Sequence, residues 1–163
     1  MQYTVIPSPV GELTLASDGE SLTGLWIKGQ KYFGGPERAE KTDLPIFRRT
    51  EEWLSRYFAG ERPSTTELPL SPRGSEFRRI VWRLLCEIPY GEVTTYGELS
   101  RRAAKILGKE TMAAQAIGGA VGHNPISIII PCHRVLGSDG SLTGYAGGLH
   151  IKQRLLEHEG RPV

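Results

Sequence analysis

Cysteine is scarce in this chain: 163 residues hold only two, Cys86 and Cys132, and they form no CxxC pair. A disulfide scaffold and a Cys-rich zinc site are thereby excluded, and a reducing compartment fits. The start, Met1-Gln2-Tyr3-Thr4-Val5, lacks a basic segment followed by an apolar stretch, and no run approaches the length of a membrane span. The expected location is cytoplasmic. Charge of one sign is also lacking. A formal net charge of +2 does not argue for nucleic acid by itself, so any DNA-binding surface has to come from local placement. There is no internal repeat and no low-complexity tract. The glycines of Gly144-Tyr145-Ala146-Gly147-Gly148 lack the Lys and Ser/Thr of a phosphate-binding loop.

What is present divides into two parts, residues 1–74 and 75–163. Tyr3 and Val5 alternate with polar neighbours, Leu13 and Leu15 do so again, Asp18-Gly19 marks a turn, and Leu22 to Ile27 makes a third strand. Gly34-Gly35-Pro36 reads as a loop. Phe47, Trp53, Leu54, Tyr57 and Phe58 follow helical spacing up to Gly60. Glu61 to Gly74, with Pro63, Pro69 and Pro72, reads as a linker. Phe77, Ile80, Val81, Leu84, Leu85 and Ile88 then lie on one helix face behind the N-cap Ser75. Thr95-Tyr96-Gly97-Glu98 has the form of a capping box and opens a helix ending near Gly108. After a short break at Lys109-Glu110, a second helix is expected from Thr111, built of Ala113, Ala114, Ala116, Gly118, Gly119 and Ala120. The pair resembles a helix-turn-helix. Leu149 to Glu159 forms the last helix.

Chemistry concentrates at Pro131-Cys132-His133-Arg134-Val135, expected just after a short strand, Ile128-Ile129-Ile130. A thiol attacks as the thiolate, so it needs a base or a positive dipole. His133 and a carboxylate from the Glu157-His158-Glu159 tail make a candidate relay, expected to lower the thiol pKa below its free value of about 8.5. Cys86, inside an amphipathic helix with no His neighbour, reads as packing. On spacing alone two readings stand: a Cys-His hydrolase or transferase, and a helix-turn-helix DNA-binding module with an incidental cysteine.

The pentapeptide resembles the active-site signature of the methylated-DNA–protein-cysteine methyltransferases, also called O6-alkylguanine-DNA alkyltransferases. Tyr90-Gly91-Glu92-Val93-Thr94-Thr95-Tyr96, Ala116-Ile117-Gly118-Gly119-Ala120, Asn124-Pro125, Tyr145-Ala146-Gly147-Gly148-Leu149 and Leu155-Leu156-Glu157-His158-Glu159-Gly160 recur in the family's order. The resemblance is firm from Ser75 to Gly160 and weaker before it.

It implies an α+β fold: a small N-terminal ribonuclease-H-like α/β domain, then a mainly helical domain with a winged-helix-like helix-turn-helix. It implies repair of O6-alkylguanine, and of O4-alkylthymine, by a single transfer of the alkyl group to Cys132 after base flipping. His133 resembles the base, acting through a water, and Glu159 the carboxylate that orients it. Asn124 matches the residue bracing the active-site turn, and Tyr96 the proton donor to the departing base. Val135, Tyr145, Ala146 and Lys152 match the base pocket. Thr95, Gln115, Ala116, Gly118, Gly119 and Arg134 match the DNA-facing set. The implied partner is double-stranded DNA, approached through the minor groove by a monomer able to cluster on it. No cofactor and no metal are implied, since the zinc site of some members needs Cys and His that residues 1–74 lack. Gln115 departs from the intercalating arginine of many members, Gly144 from an asparagine and Ala146 from a serine. The alternative in another class is an alkyltransferase-like sensor that recruits excision repair without transfer. Such proteins lack the acceptor cysteine.

Overall fold

Two apolar alternations and a continuous apolar run, separated by turns, make an antiparallel meander. In the computed structural model, which describes residues 1–33 and 40–161, these are β1 (Gln2–Ile6), β2 (Leu13–Ser17) and β3 (Leu22–Ile27). A two-residue strand β4 (Glu40–Lys41) adds in parallel beside β1, giving the order β3-β2-β1-β4. The loop expected at Gly34-Gly35-Pro36 lies outside the described residues. Helix α1 (Pro45–Phe58) starts with Pro45 in its first turn, where a missing N–H is harmless, and buries Ile46, Phe47, Trp53, Leu54 and Tyr57.

The linker is pinned. Ser64 caps a 3-10 turn at Thr65–Glu67 through a reciprocal capping box, and Leu68 is buried. Leu22 N–H donates to the Pro69 carbonyl at 2.9 Å and Ser71 N–H to the Leu22 carbonyl at 2.8 Å. The linker thus covers one stretch of the free edge of β3.

The second half is helical. Ser75 caps α2 (Glu76–Cys86), its hydroxyl accepting from Arg78 N–H at 3.2 Å. Thr95 belongs to β5 (Thr94–Thr95), which pairs in parallel with β6 (Val135–Leu136), and caps α3 (Tyr96–Leu107). Only half of the expected capping box forms. Thr95 Oγ1 accepts from Glu98 N–H, but the Glu98 carboxylate turns to Arg101, 2.7 Å away. Gly108 ends α3 at φ 68°, a conformation that favours glycine. Helix α4 (Ala114–Gly122) starts three residues later than expected: Ser100 Oγ donates to the Met112 carbonyl and the chain stays extended through Ala113. Helices α2, α3 and α4 pack on one another, and α5 (Leu149–His158) closes the chain against the Cys132 turn. One apolar cluster runs through both halves, from Leu15 and Leu25 to Val81, Leu99 and Leu155. No described helix is long and apolar enough to cross a membrane.

The strand expected at Ile128-Ile129-Ile130 does not form. Ile126 makes an isolated bridge to Leu25, with Leu25 N–H on the Pro125 carbonyl at 2.8 Å and Ser127 N–H on the Leu25 carbonyl at 3.0 Å. The chain then turns, with Ile128 at φ 71°. That region is rare for a β-branched residue and costs about 1–3 kcal/mol. The three isoleucines are all buried. Their apolarity records burial, not extension.

Candidate active site

The turn after Ile130 delivers Cys132 at the start of a 3-10 turn, Cys132–Arg134. Asn124 holds it from the end of α4. Its Nδ2 donates to the Ile130 carbonyl at 2.8 Å and to Cys132 Sγ at 3.2 Å, while its Oδ1 accepts from Ile126 N–H at 3.0 Å. The thiol is buried, and burial pushes its pKa up; the Asn124 hydrogen bond and the Lys152 charge oppose this without reversing it. This corrects the expectation of a depressed value. The resting group is a thiol.

The imidazole next to it in the turn meets a buried carboxylate. His133 Nε2 lies 2.6 Å from Glu159 Oε2, with both side chains fully buried. An ionised carboxylate only accepts, so Nε2 carries the hydrogen and Nδ1 the lone pair. Nδ1 is buried and meets no hydrogen-bond partner among the described residues. Burial lowers the His133 pKa against the pull of Glu159, so the imidazole is neutral and able to accept a proton. Burial alone would raise the Glu159 carboxyl; the hydrogen bonds from His133 and Arg134, together with the Arg134 guanidinium charge, outweigh it and hold the group well below the usual range.

Arg134, expected among the DNA-facing residues, is turned inward. Its Nε donates to Glu159 Oε1 at 2.8 Å and one terminal nitrogen to the Ile88 carbonyl at 2.6 Å. Gly91 N–H donates to Glu159 Oε1 at 3.2 Å, and Tyr57 Oη to Oε2 at 2.6 Å.

A cavity of about 220 Å³ opens in front of the thiol, lined by Lys31, Tyr32, Tyr96, Gly118, Val121, Gly122, Cys132, Gly144, Tyr145 and Ala146. It lies below the range of about 300–1,000 Å³ typical of sites for drug-sized ligands and suits one planar ring system. Tyr96 Oη donates to the Thr143 carbonyl at 3.2 Å. Burial, and then proximity to Cys132, raise its pKa, so it stays a proton donor. Fully buried Lys152 donates to the carbonyls of Val135, Thr143 (3.0 Å) and Gly144 (3.2 Å), tying the rim loop to the Cys132 turn. Burial lowers its pKa to about 8. Val135, expected in the pocket, does not line the cavity; its carbonyl is held by Lys152.

Gln115 is exposed at the start of α4, Ala116 is half-buried, and a Cβ added at Gly118 or Gly119 meets no atom within 4 Å. Thr95 is half-buried at the start of α3.

The first half of the chain contributes groups that sequence reasoning missed. Tyr57 reaches Glu159, and Lys31 N–H donates to the Ala146 carbonyl at 2.8 Å. The ring of Tyr32 stacks on His123 at 3.8 Å. Nothing local distinguishes Tyr57 from the other aromatics of the buried face of α1. Cys86 is only partly buried, where Cys132 is buried; burial still raises it to about 11, and it sits at the end of α2, apart from the cavity.

The model for "6-O-methylguanine DNA methyltransferase, DNA binding domain" matches residues 76–161, and that for its ribonuclease-like domain matches residues 1–72. A methylated-DNA–protein-cysteine methyltransferase of Haemophilus influenzae is 46% identical over 162 residues, 99% of this chain and 88% of that protein. The chain belongs to the methylated-DNA–protein-cysteine methyltransferase family. The relative of the same name from Methanosarcina acetivorans is 45% identical, covering 98% of this chain and 99% of its own. The crystal structure of Mycobacterium tuberculosis OGT in complex with DNA matches with a TM-score of 0.86 at 41% identity, covering 100% of this chain and 96% of that one. This methyltransferase is a DNA-repair enzyme with the ribonuclease-like and helical halves of its family.

Proposed function

We propose that the protein binds double-stranded DNA and moves the alkyl group of O6-alkylguanine, and of O4-alkylthymine, onto Cys132, once per molecule. The observation that carries this reading is the buried thiol at the floor of a ring-sized cavity, on the same turn as a neutral imidazole whose Nδ1 meets no hydrogen-bond partner among the described residues. His133 takes the thiol proton through a water, Sγ forms its bond to the alkyl carbon, and the bond from that carbon to O6 breaks. The electron pair stays with guanine, which leaves neutral by taking a proton from Tyr96. The protonated His133 returns its proton through solvent to the Tyr96 phenolate, so the net balance moves one proton from thiol to base. The thioether has no easy route back to a thiol, which limits each molecule to one turn.

O6 is out of reach in a stacked duplex, so the base has to be flipped into the cavity. The bare surface of α4 at Gly118 and Gly119 suits close approach in the minor groove, with Gln115 as the wedge. The reading includes a cytoplasmic monomer that clusters on DNA. It excludes the sensor alternative on the presence of Cys132. The test is intact mass after incubation with O6-methylguanine duplex: one methyl per protein, mapped to Cys132. Continued turnover, or a methyl on Cys86, refutes the assignment.

The helix surface gives a second expectation. Gly119→Leu adds a side chain where no protein atom stands and raises helix propensity by roughly 0.5–1 kcal/mol. Stability rises or holds, transfer from free O6-benzylguanine is unchanged, and duplex affinity falls about tenfold or more. Denaturation, single-turnover kinetics and a duplex titration check the three parts. Undiminished duplex affinity would move the DNA surface away from this face.

A further inference from the structure

Glu159 stands at the end of α5 and is held from three directions: Arg134 and His133 from the Cys132 turn, Gly91 from the loop after α2, and Tyr57 from α1. Only Tyr57 comes from the first half of the chain, and it donates to the same oxygen, Oε2, as His133 Nε2. We infer that Tyr57 is a positioning residue of the transfer reaction, whose hydroxyl fixes the Glu159 carboxylate and limits its basicity, so that the ribonuclease-like half sets the strength of the base serving Cys132. This rests on the reading of Cys132 as acceptor and His133 as its base.

The argument is one of shared charge. A carboxylate stabilises an imidazolium in proportion to the negative charge left on the oxygen facing it. Each further donor on that oxygen disperses the charge and weakens the stabilisation. Tyr57 is 1% exposed and stacked between Trp53 and the edges of Phe58 and Tyr90, so its hydroxyl has no freedom to leave. Burial, and then Glu159, push the phenol above its ordinary range, so it remains a donor at every working pH. Among the described residues, the other charged or titratable groups around the pair are Arg134 and Cys132 on the turn, Lys152 and His158 on α5, and Tyr90, with Arg62 over its ring. Tyr57→Phe leaves all of these in place and keeps the ring.

Without the hydroxyl, Oε2 carries more charge, the imidazolium is favoured, and the His133 pKa rises. The base is then protonated over a wider range, so the acid limb of the transfer rate moves to higher pH. The expected shift is on the order of one pH unit, the size of one hydrogen bond to a charged group.

The experiment has two readouts, each on parent, Tyr57→Phe and Phe58→Leu. One is NMR titration of the His133 ring. The other is single-turnover transfer from free O6-benzylguanine against pH, which needs no DNA. The expected result is an upward shift in both for Tyr57→Phe and none for Phe58→Leu, which disturbs the same aromatic cluster without touching Glu159. In a Glu159→Gln background the Tyr57→Phe shift disappears. A Tyr57→Phe titration that overlays the parent, or an equal shift in Phe58→Leu, overturns the inference. A parent that gains no alkyl group on Cys132 refutes the acceptor reading instead, while the NMR titration still decides what Tyr57 does to His133.

Discussion

Cys132→Ala abolishes alkyl transfer while duplex affinity for O6-methylguanine DNA stays within about threefold of the parent, less than 1 kcal/mol. Cys86→Ala transfers as the parent does. Reactivity at rest does not explain the difference, because burial pushes both thiols upward. What separates them is what surrounds each. Cys132 has the Asn124 amide on its sulfur, the Lys152 charge nearby, His133 next in its own turn and an open cavity in front. Binding survives because the thiol is one wall of a pocket whose rings, Tyr96 and Tyr145, and helix α4 are untouched. Peptide mass spectrometry and a duplex titration read the two parts. Transfer by Cys132→Ala at even a tenth of the parent rate would place the acceptor elsewhere.

Glu159→Gln is expected to slow transfer about 10²-fold, the lower end of what a positioned base supplies, and to lose about 3–5 kcal/mol of stability. The stability loss follows from Arg134. With 8% of its surface exposed, it keeps the Ile88 carbonyl but loses its only ion-pair partner among the described residues, and a buried charge without its partner is strongly destabilising. The pH dependence has a definite sign. Glu159 titrates below its ordinary 4.5 in the folded state, so its contribution is complete above 4.5 and is lost as pH falls below it. His133 titrates below its ordinary 6.5, so the stability of holding it neutral is complete above 6.5 and is lost as pH falls through that value. The parent therefore weakens in two stages on acidification, and the variant lacks the second. Denaturant midpoints from pH 3.5 to pH 8 check this. Matching midpoints for both proteins throughout would mean the carboxylate is not what holds Arg134.

Much of this was legible because it is local. Strands β1 and β2 follow from alternation and β3 from the apolar run after Asp18-Gly19, and α2 and α3 announce themselves by Ser75, Thr95 and Gly108. Cys132, His133, Glu159 and Asn124 were picked out by their order in a family pattern, and the fold brings them together. What was misread depends on tertiary contacts. The run of isoleucines before Pro131 suggests a strand, but the chain stops pairing after the Ile126 bridge to Leu25 and the left-handed turn at Ile128 bends it. Arg134 reads as a surface cation until Glu159, 25 residues away, turns it inward. Tyr57 lies 102 residues from Glu159, and no spacing rule spans that distance.

The free edge of β3 is covered twice, by Pro69 to Ser71 and by Pro125 to Ser127. An uncovered strand edge is a template on which another chain can pair and aggregate. The second cover is the same segment that turns into Ile128 and carries the thiol. The residues that set the Cys132 turn therefore also guard against self-association, and any change that loosens that turn uncovers a strand edge as it moves the thiol.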